Sequence, residues 1–156
     1  MKTMITFLTC ITLTFSVYAQ TEKQSMLDID KTITDIKSKI STFQKIEKVK
    51  TTEGYRFVFL KGKELQLITA RQIEQNLEKN VEWYYVNGAL VYAETIWLDS
   101  KTKKVVKNEK QYLDNGHLIA WINPEGKLVD NNSAEFKTVD TELTAYGIKI
   151  KNDALK

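Results

Sequence analysis

Two Asn-Gly pairs, Asn87-Gly88 and Asn115-Gly116, each sit between runs rich in β-branched and aromatic residues. A two-residue type I′ turn needs positive φ at both central positions, which Asn and Gly tolerate, so each pair predicts a β-hairpin. The flanks repeat too: Tyr84, Leu90 and Val91 around the first turn match Tyr112, Leu118 and Ile119 around the second. A chain carrying this unit twice is committed to an antiparallel sheet, and the remaining elements must cover its faces.

Two-residue turns also set cross-strand neighbours. Simple counting places Trp83, Tyr85, Leu90, Tyr92, Leu113, Leu118 and Ala120 on one face, with Glu94, Ile96, Leu98, Glu109, Gln111 and Ile122 continuing it. This more aliphatic face is expected to be core under the long N-terminal helix, with the C-terminal helix covering part of the other face. The opposite face collects Tyr84, Trp97, Tyr112 and Trp121 with Lys110, Glu82 and His117. Aromatic rings interspersed with polar groups suit ligand recognition, so Tyr84, Trp97, Tyr112, Trp121 and Lys110 are the candidate binding residues.

Before the sheet, Thr21 and Gln24 read as a capping box. Met26, Ile29, Ile33, Ile36, Ile40, Phe43 and Ile46 then recur at spacings of three and four, which predicts a long amphipathic helix over 22–48. Tyr55–Leu60 and the segment from Glu64 read as a hairpin around Lys61-Gly62-Lys63, with Phe59 opposite Leu65. The stretch from Gln72 to Lys79 fits either a strand or a short helix. Asn123-Pro124-Glu125-Gly126 is a type I turn, and Lys127–Val129 a short edge strand. Ser133 caps a helix over 134–146 with Phe136, Val139, Leu143 and Tyr146 on its buried face and Gly147 as its stop. Residues 148–156 are expected to be a loose tail. The meander spans 54–129 with six or seven strands, and the fold class is α+β: one long N-terminal helix on the sheet, closed by a short C-terminal helix.

The first stretch stands apart. Lys2 is followed by an uncharged apolar and Thr/Ser run to Val17, and Val17-Tyr18-Ala19 offers a cleavage site. This is the pattern of a secretory signal peptide, residues 1–19, which leaves a single domain over 20–156 in the periplasm or outside the cell. The run is too short for a membrane span, which needs about 20 residues. Cys10 falls inside it, so the mature chain is expected to lack thiol chemistry. A formal charge of +3, lowered by one with Lys2, gives no electrostatic basis for binding nucleic acid.

Chemistry-bearing motifs are sparse. The single His117 beside a turn suits a solvated residue rather than a catalyst or ligand. Glu82, Glu94 and Glu109 lie on strands; Glu94 and Glu109 could form a carboxylate pair, but salt bridges with Lys107 or Lys110 are the favoured reading. Lys101, Lys103, Lys104, Lys107 and Lys110 read as a solvated loop and strand edge. The repeated Tyr-x-x-Asn-Gly-x-Leu hairpins resemble a family of uncharacterised bacterial secreted or periplasmic proteins with a signal peptide, an N-terminal helix and a meander. They are weakly similar to MORN-variant repeats, whose usual Gly-x-Trp-x-x-Tyr element is missing. Neither resemblance implies catalytic residues. The expected role is an exported, non-enzymatic binding protein without cofactor or metal, its partner a protein or small ligand of the cell envelope. The alternative is a periplasmic inhibitor or immunity-type protein.

Overall fold

The structure, a computed structural model, describes residues 23–50 and 54–156. The expected signal peptide, the start of the expected capping box and the expected helix break at 51–53 lie outside the described residues. The chain is α+β. A helix α1 (residues 23–39) ends in a 3₁₀ turn, Ile40–Thr42. Seven strands follow: β1 (Gln44–Lys50), β2 (Gly54–Lys61), β3 (Glu64–Glu74), β4 (Leu77–Val86), β5 (Ala89–Asp99), β6 (Val105–Asp114) and β7 (His117–Ile122). They form one antiparallel sheet in sequence order. The last element is helix α2 (Ala134–Leu155).

The expected helix over 22–48 therefore stops early, and its last residues become a strand. Ile46 pairs with Val58 and joins the core beside β2, so sheet pairing overrides the helical spacing. The segment 72–79 is strand, turn and strand, with positive φ at Gln75. The edge strand at 127–129 reduces to a single bridge, Ile122 to Leu128.

The two helices lie on opposite faces of the sheet. Ile33 and Ile36 of α1 are buried with Leu67, Tyr84, Tyr92, Tyr112 and Ala120. Phe136, Leu143, Ile150 and Ala154 of α2 are buried with Val58, Ile68, Trp83, Tyr85, Leu90 and Leu113. This reverses the expected cover: the N-terminal helix takes the tyrosine face and the C-terminal helix the aliphatic one. Both sides of the sheet are core.

Both Asn-Gly turns form, with positive φ at Asn87, Gly88, Asn115 and Gly116. The register beyond them differs from simple counting. Tyr85 opposes Leu90, but Tyr84 opposes Tyr92, which leaves Val91 as an extra residue. Leu113 opposes Leu118 and Tyr112 opposes Ala120, leaving Ile119. The first hairpin repeats the device: Leu60 opposes Leu65 and Phe59 opposes Leu67, leaving Gln66. Each is a β-bulge, and each exchanges the faces of every later residue on its strand. Leu65 and Ile68, Leu90 and Ala93, and Leu118 and Trp121 consequently share the α2 face at a spacing of three.

Helix α2 begins as expected, with Ser133 Oγ accepting from Phe136 N at 3.1 Å. It does not stop at Gly147. A Cβ there would sit 2.9 Å from Leu90 Cδ2, so this glycine serves close approach of the helix to β5 rather than a helix end. Ile150 and Ala154 bury the turns beyond it, which orders the expected loose tail. The helix also holds both Asn-Gly turns. Thr144 Oγ1 donates to the Gly116 carbonyl at 2.8 Å, and Lys151 Nζ to the Gly88 carbonyl at 2.5 Å. Seven helical residues rise about 10.5 Å, and two inter-strand steps span about 9.6 Å, so the two spacings match.

Candidate functional site

The five candidate binding residues do not share a surface. Tyr84 and Tyr112 lie under α1, with exposures of 0% and 2%, in a ladder of rings. Tyr84 and Tyr92 are 5.8 Å apart, and Tyr92 meets Tyr112 edge-on at 5.0 Å. The Tyr84 hydroxyl donates to Glu82 Oε2 at 2.5 Å. Lys37 of α1 lies 3.3 Å from Glu82 and 3.9 Å from Glu94, and Asn108 donates to Glu94 at 3.2 Å. Burial first, then the nearby carboxylates, push the Tyr84 and Tyr92 phenols far above their ordinary range. Lys110 lies on this side between Glu94 and Ile122.

Trp97 and Trp121 belong to the other side. The bulge after Leu118 carries Trp121 beneath α2, where its exposure is 5%. Trp97 is half-buried opposite Lys79, whose ammonium stands 5.6 Å from the indole centroid. Glu94 and Glu109 are likewise divided between the faces, so the considered carboxylate pair is not assembled. Lys103, from the basic run, reaches back to Glu78 at 2.7 Å, and Arg71 meets the same oxygen at 2.7 Å. Lys103's hydrogen bond is the main reason that the Glu78 carboxyl is held below its ordinary value.

What the sequence reading missed is a groove of about 750 Å³ between α2 and the sheet. Its floor is one register row across five strands: Arg56 opposes Ala70, Ala70 opposes Val81, Val81 opposes Thr95, and Thr95 opposes Glu109. Small and β-branched side chains in the middle leave room that larger ones would fill. Trp83 forms the inner edge beneath Tyr146, their rings 5.9 Å apart. The helix wall comes from Val139, Glu142, Tyr146 and Lys149, at spacings of three and four. Gln72 and Lys79 line the outer side. No separate sequence signal marks this wall, because Val139 and Tyr146 fall in one helical stripe with Phe136 and Leu143, and Leu143 lines the groove as well.

Glu109 is the most constrained polar group in the groove. It accepts from Trp121 Nε1 at 2.8 Å and Gln111 Nε2 at 3.3 Å through a single oxygen, Oε1. Burial pushes its carboxyl up from the ordinary 4.5, opposed by the Trp121 bond and Lys79. At the far end, Arg56 Nε is buried without a hydrogen-bond partner. Such an atom is costly unless a partner meets it.

His117 is exposed and turns Nδ1 toward Asp140 at 3.5 Å, while Asp140 accepts from Leu118 N at 2.7 Å. The bond from the Leu118 amide to Asp140 ties β7 to α2. Among the described residues no group of three or more His, Cys, Asp or Glu is placed to hold a metal ion, and no helix is long and apolar enough to cross a membrane. Compared with protein-family models, curated proteins and solved structures, the chain has no significant match.

Proposed function

We propose that the protein is an exported, non-enzymatic binding protein whose ligand occupies the groove between α2 and strands β2–β6. The observation that carries this reading is the groove itself. Its volume of about 750 Å³ falls within the roughly 300–1,000 Å³ of small-ligand sites. Its floor is apolar in the middle and bears charged groups at the ends, the usual division between affinity and orientation. No His or Cys is among the lining residues, and Glu109 is tied to two donors, an arrangement that suits holding a ligand more than moving protons.

The experiment is a titration with 8-anilinonaphthalene-1-sulfonate, an apolar anion, together with native mass spectrometry of protein isolated from its own cell envelope. Ala145 lies on the exposed rim, so Ala145→Trp narrows the groove without entering the core. Dye binding and any co-purified small molecule should both be lost in this variant. Dye binding unchanged by Ala145→Trp, or no dye binding to the wild type, overturns the reading.

A further inference from the structure

The groove has an electrical direction. Its floor row starts at Glu109 on β6 and ends at Arg56 on β2, with Thr95, Val81 and Ala70 between. The helix wall runs the same way. Asp140 contacts β7 at Leu118, Tyr146 lies over Trp83 of β4, and Gly147 meets Leu90 of β5. Advancing along α2 therefore moves from β7 toward the lower-numbered strands. Glu142 falls at the Glu109 end and Lys149 toward the Arg56 end. Floor and wall both pass from acid, through an apolar and aromatic middle, to base. Lys79 stands at the outer rim, turned toward the Trp97 ring and near enough to Glu109 to favour its charged form. The amides of Gln72 and Gln111 add neutral donors and acceptors along the length.

We infer, building on the groove reading above, that the ligand is a short peptide with both termini free. Its ammonium group lies at the Glu109–Glu142 end and its carboxylate at the Arg56–Lys149 end. The second oxygen of Glu109 takes the ammonium, and the guanidinium of Arg56, which lines the groove, takes the carboxylate. The Gln side chains meet peptide amides, and the apolar middle takes small or apolar side chains. Four inter-strand steps of about 4.8 Å separate the end residues by roughly 19 Å of backbone, and an extended peptide rises about 3.4 Å per residue, which limits the ligand to about five residues. A fatty acid or simple anion leaves the acidic end facing apolar atoms, and a polyamine leaves Arg56 and Lys149 unmatched.

The test is calorimetry with an alanine tetrapeptide in three forms: free, N-acetylated and C-amidated. Wild-type protein should bind the free peptide, and each blocking group should weaken binding roughly tenfold or more, the scale of one hydrogen bond to a charged group. In Glu109→Gln the cost of acetylation should vanish while the cost of amidation persists. In Arg56→Gln the reverse should hold. Dye binding by each variant shows that its groove is intact. Blocked peptides that bind wild type as tightly as the free one overturn the proposal. So does the absence of peptide binding while the dye still enters the wild-type groove and is excluded by Ala145→Trp, and in that case the groove reading stands without the peptide.

Discussion

The phenol of Tyr85 donates a hydrogen bond to the main-chain carbonyl of Gly147, 3.1 Å away, across the contact between β4 and α2. The same glycine faces Leu90 so closely that a methyl group there would displace the Leu90 Cδ2 methyl. Gly147→Ala should destabilise the fold by about 1–3 kcal/mol through overpacking, even though alanine is the better helix former by about 1 kcal/mol. Combining it with Leu90→Ala should recover part of the Gly147→Ala cost. Chemical denaturation of the single and double variants measures this coupling.

Thr144→Val removes the donor to the Gly116 carbonyl while keeping the side chain's shape. The expected loss is about 0.5–1.5 kcal/mol, the usual net value of one hydrogen bond. Amide exchange in β6 and β7 should accelerate more than in β2 and β3. Lys151→Met should cost less, because this bond lies on the exposed surface.

Glu109 gives the stability a definite pH dependence. Its folded pKa is raised by burial, so the neutral carboxyl is the better-tolerated form. The stability this contributes is fully present below the unfolded value and is lost as pH rises through the higher folded value. Glu109→Gln keeps an oxygen for Trp121 and removes the charge. Relative to wild type, the variant should gain stability between acid and neutral pH, as read from denaturant midpoints at both. Glu78 works in the opposite sense: its lowered pKa supplies stability that disappears as pH falls.

The ring ladder under α1 should behave as core rather than as a binding surface. Tyr84→Ala should cost about 3–5 kcal/mol, as large aromatic truncations do. The Tyr84 and Tyr92 phenols are neutral in the fold and ordinary when unfolded, so their contribution is lost as pH climbs above 10.0. Phenolate absorbance should therefore rise together with loss of near-ultraviolet circular dichroism. A separate, earlier ionisation of these two rings argues against the buried ladder.

Local chemistry made parts of this architecture legible. Asn87-Gly88 and Asn115-Gly116 announce their turns, Ser133 its cap, and the turn closed by Gly126 N on the Asn123 carbonyl at 2.8 Å was equally plain. The faces were harder to read. A bulge adds one residue after the turns at Gly62, Gly88 and Gly116, and period-two counting then assigns Trp121 and Trp97 to the wrong side. The spacing of three between Leu90 and Ala93, and between Leu118 and Trp121, is the trace it leaves. Gly147 carries a helix-stop signal that tertiary contact overrides, and Ile46 continues a helical period that pairing with Val58 overrides. The groove was invisible for a related reason. Its floor comes from five strands and its wall from a distant helix, so no stretch of sequence contains it.

The match between seven residues of α2 and one hairpin has a consequence for how such a chain can change length. A hairpin inserted into or deleted from the middle of the sheet moves its neighbours by two strands. The contacts of Thr144 and Lys151 survive only if the helix gains or loses two turns at the same point. Strand number and helix length are therefore tied as a vernier is tied to its scale. Relatives with more or fewer hairpins should carry helices that differ by multiples of about seven residues.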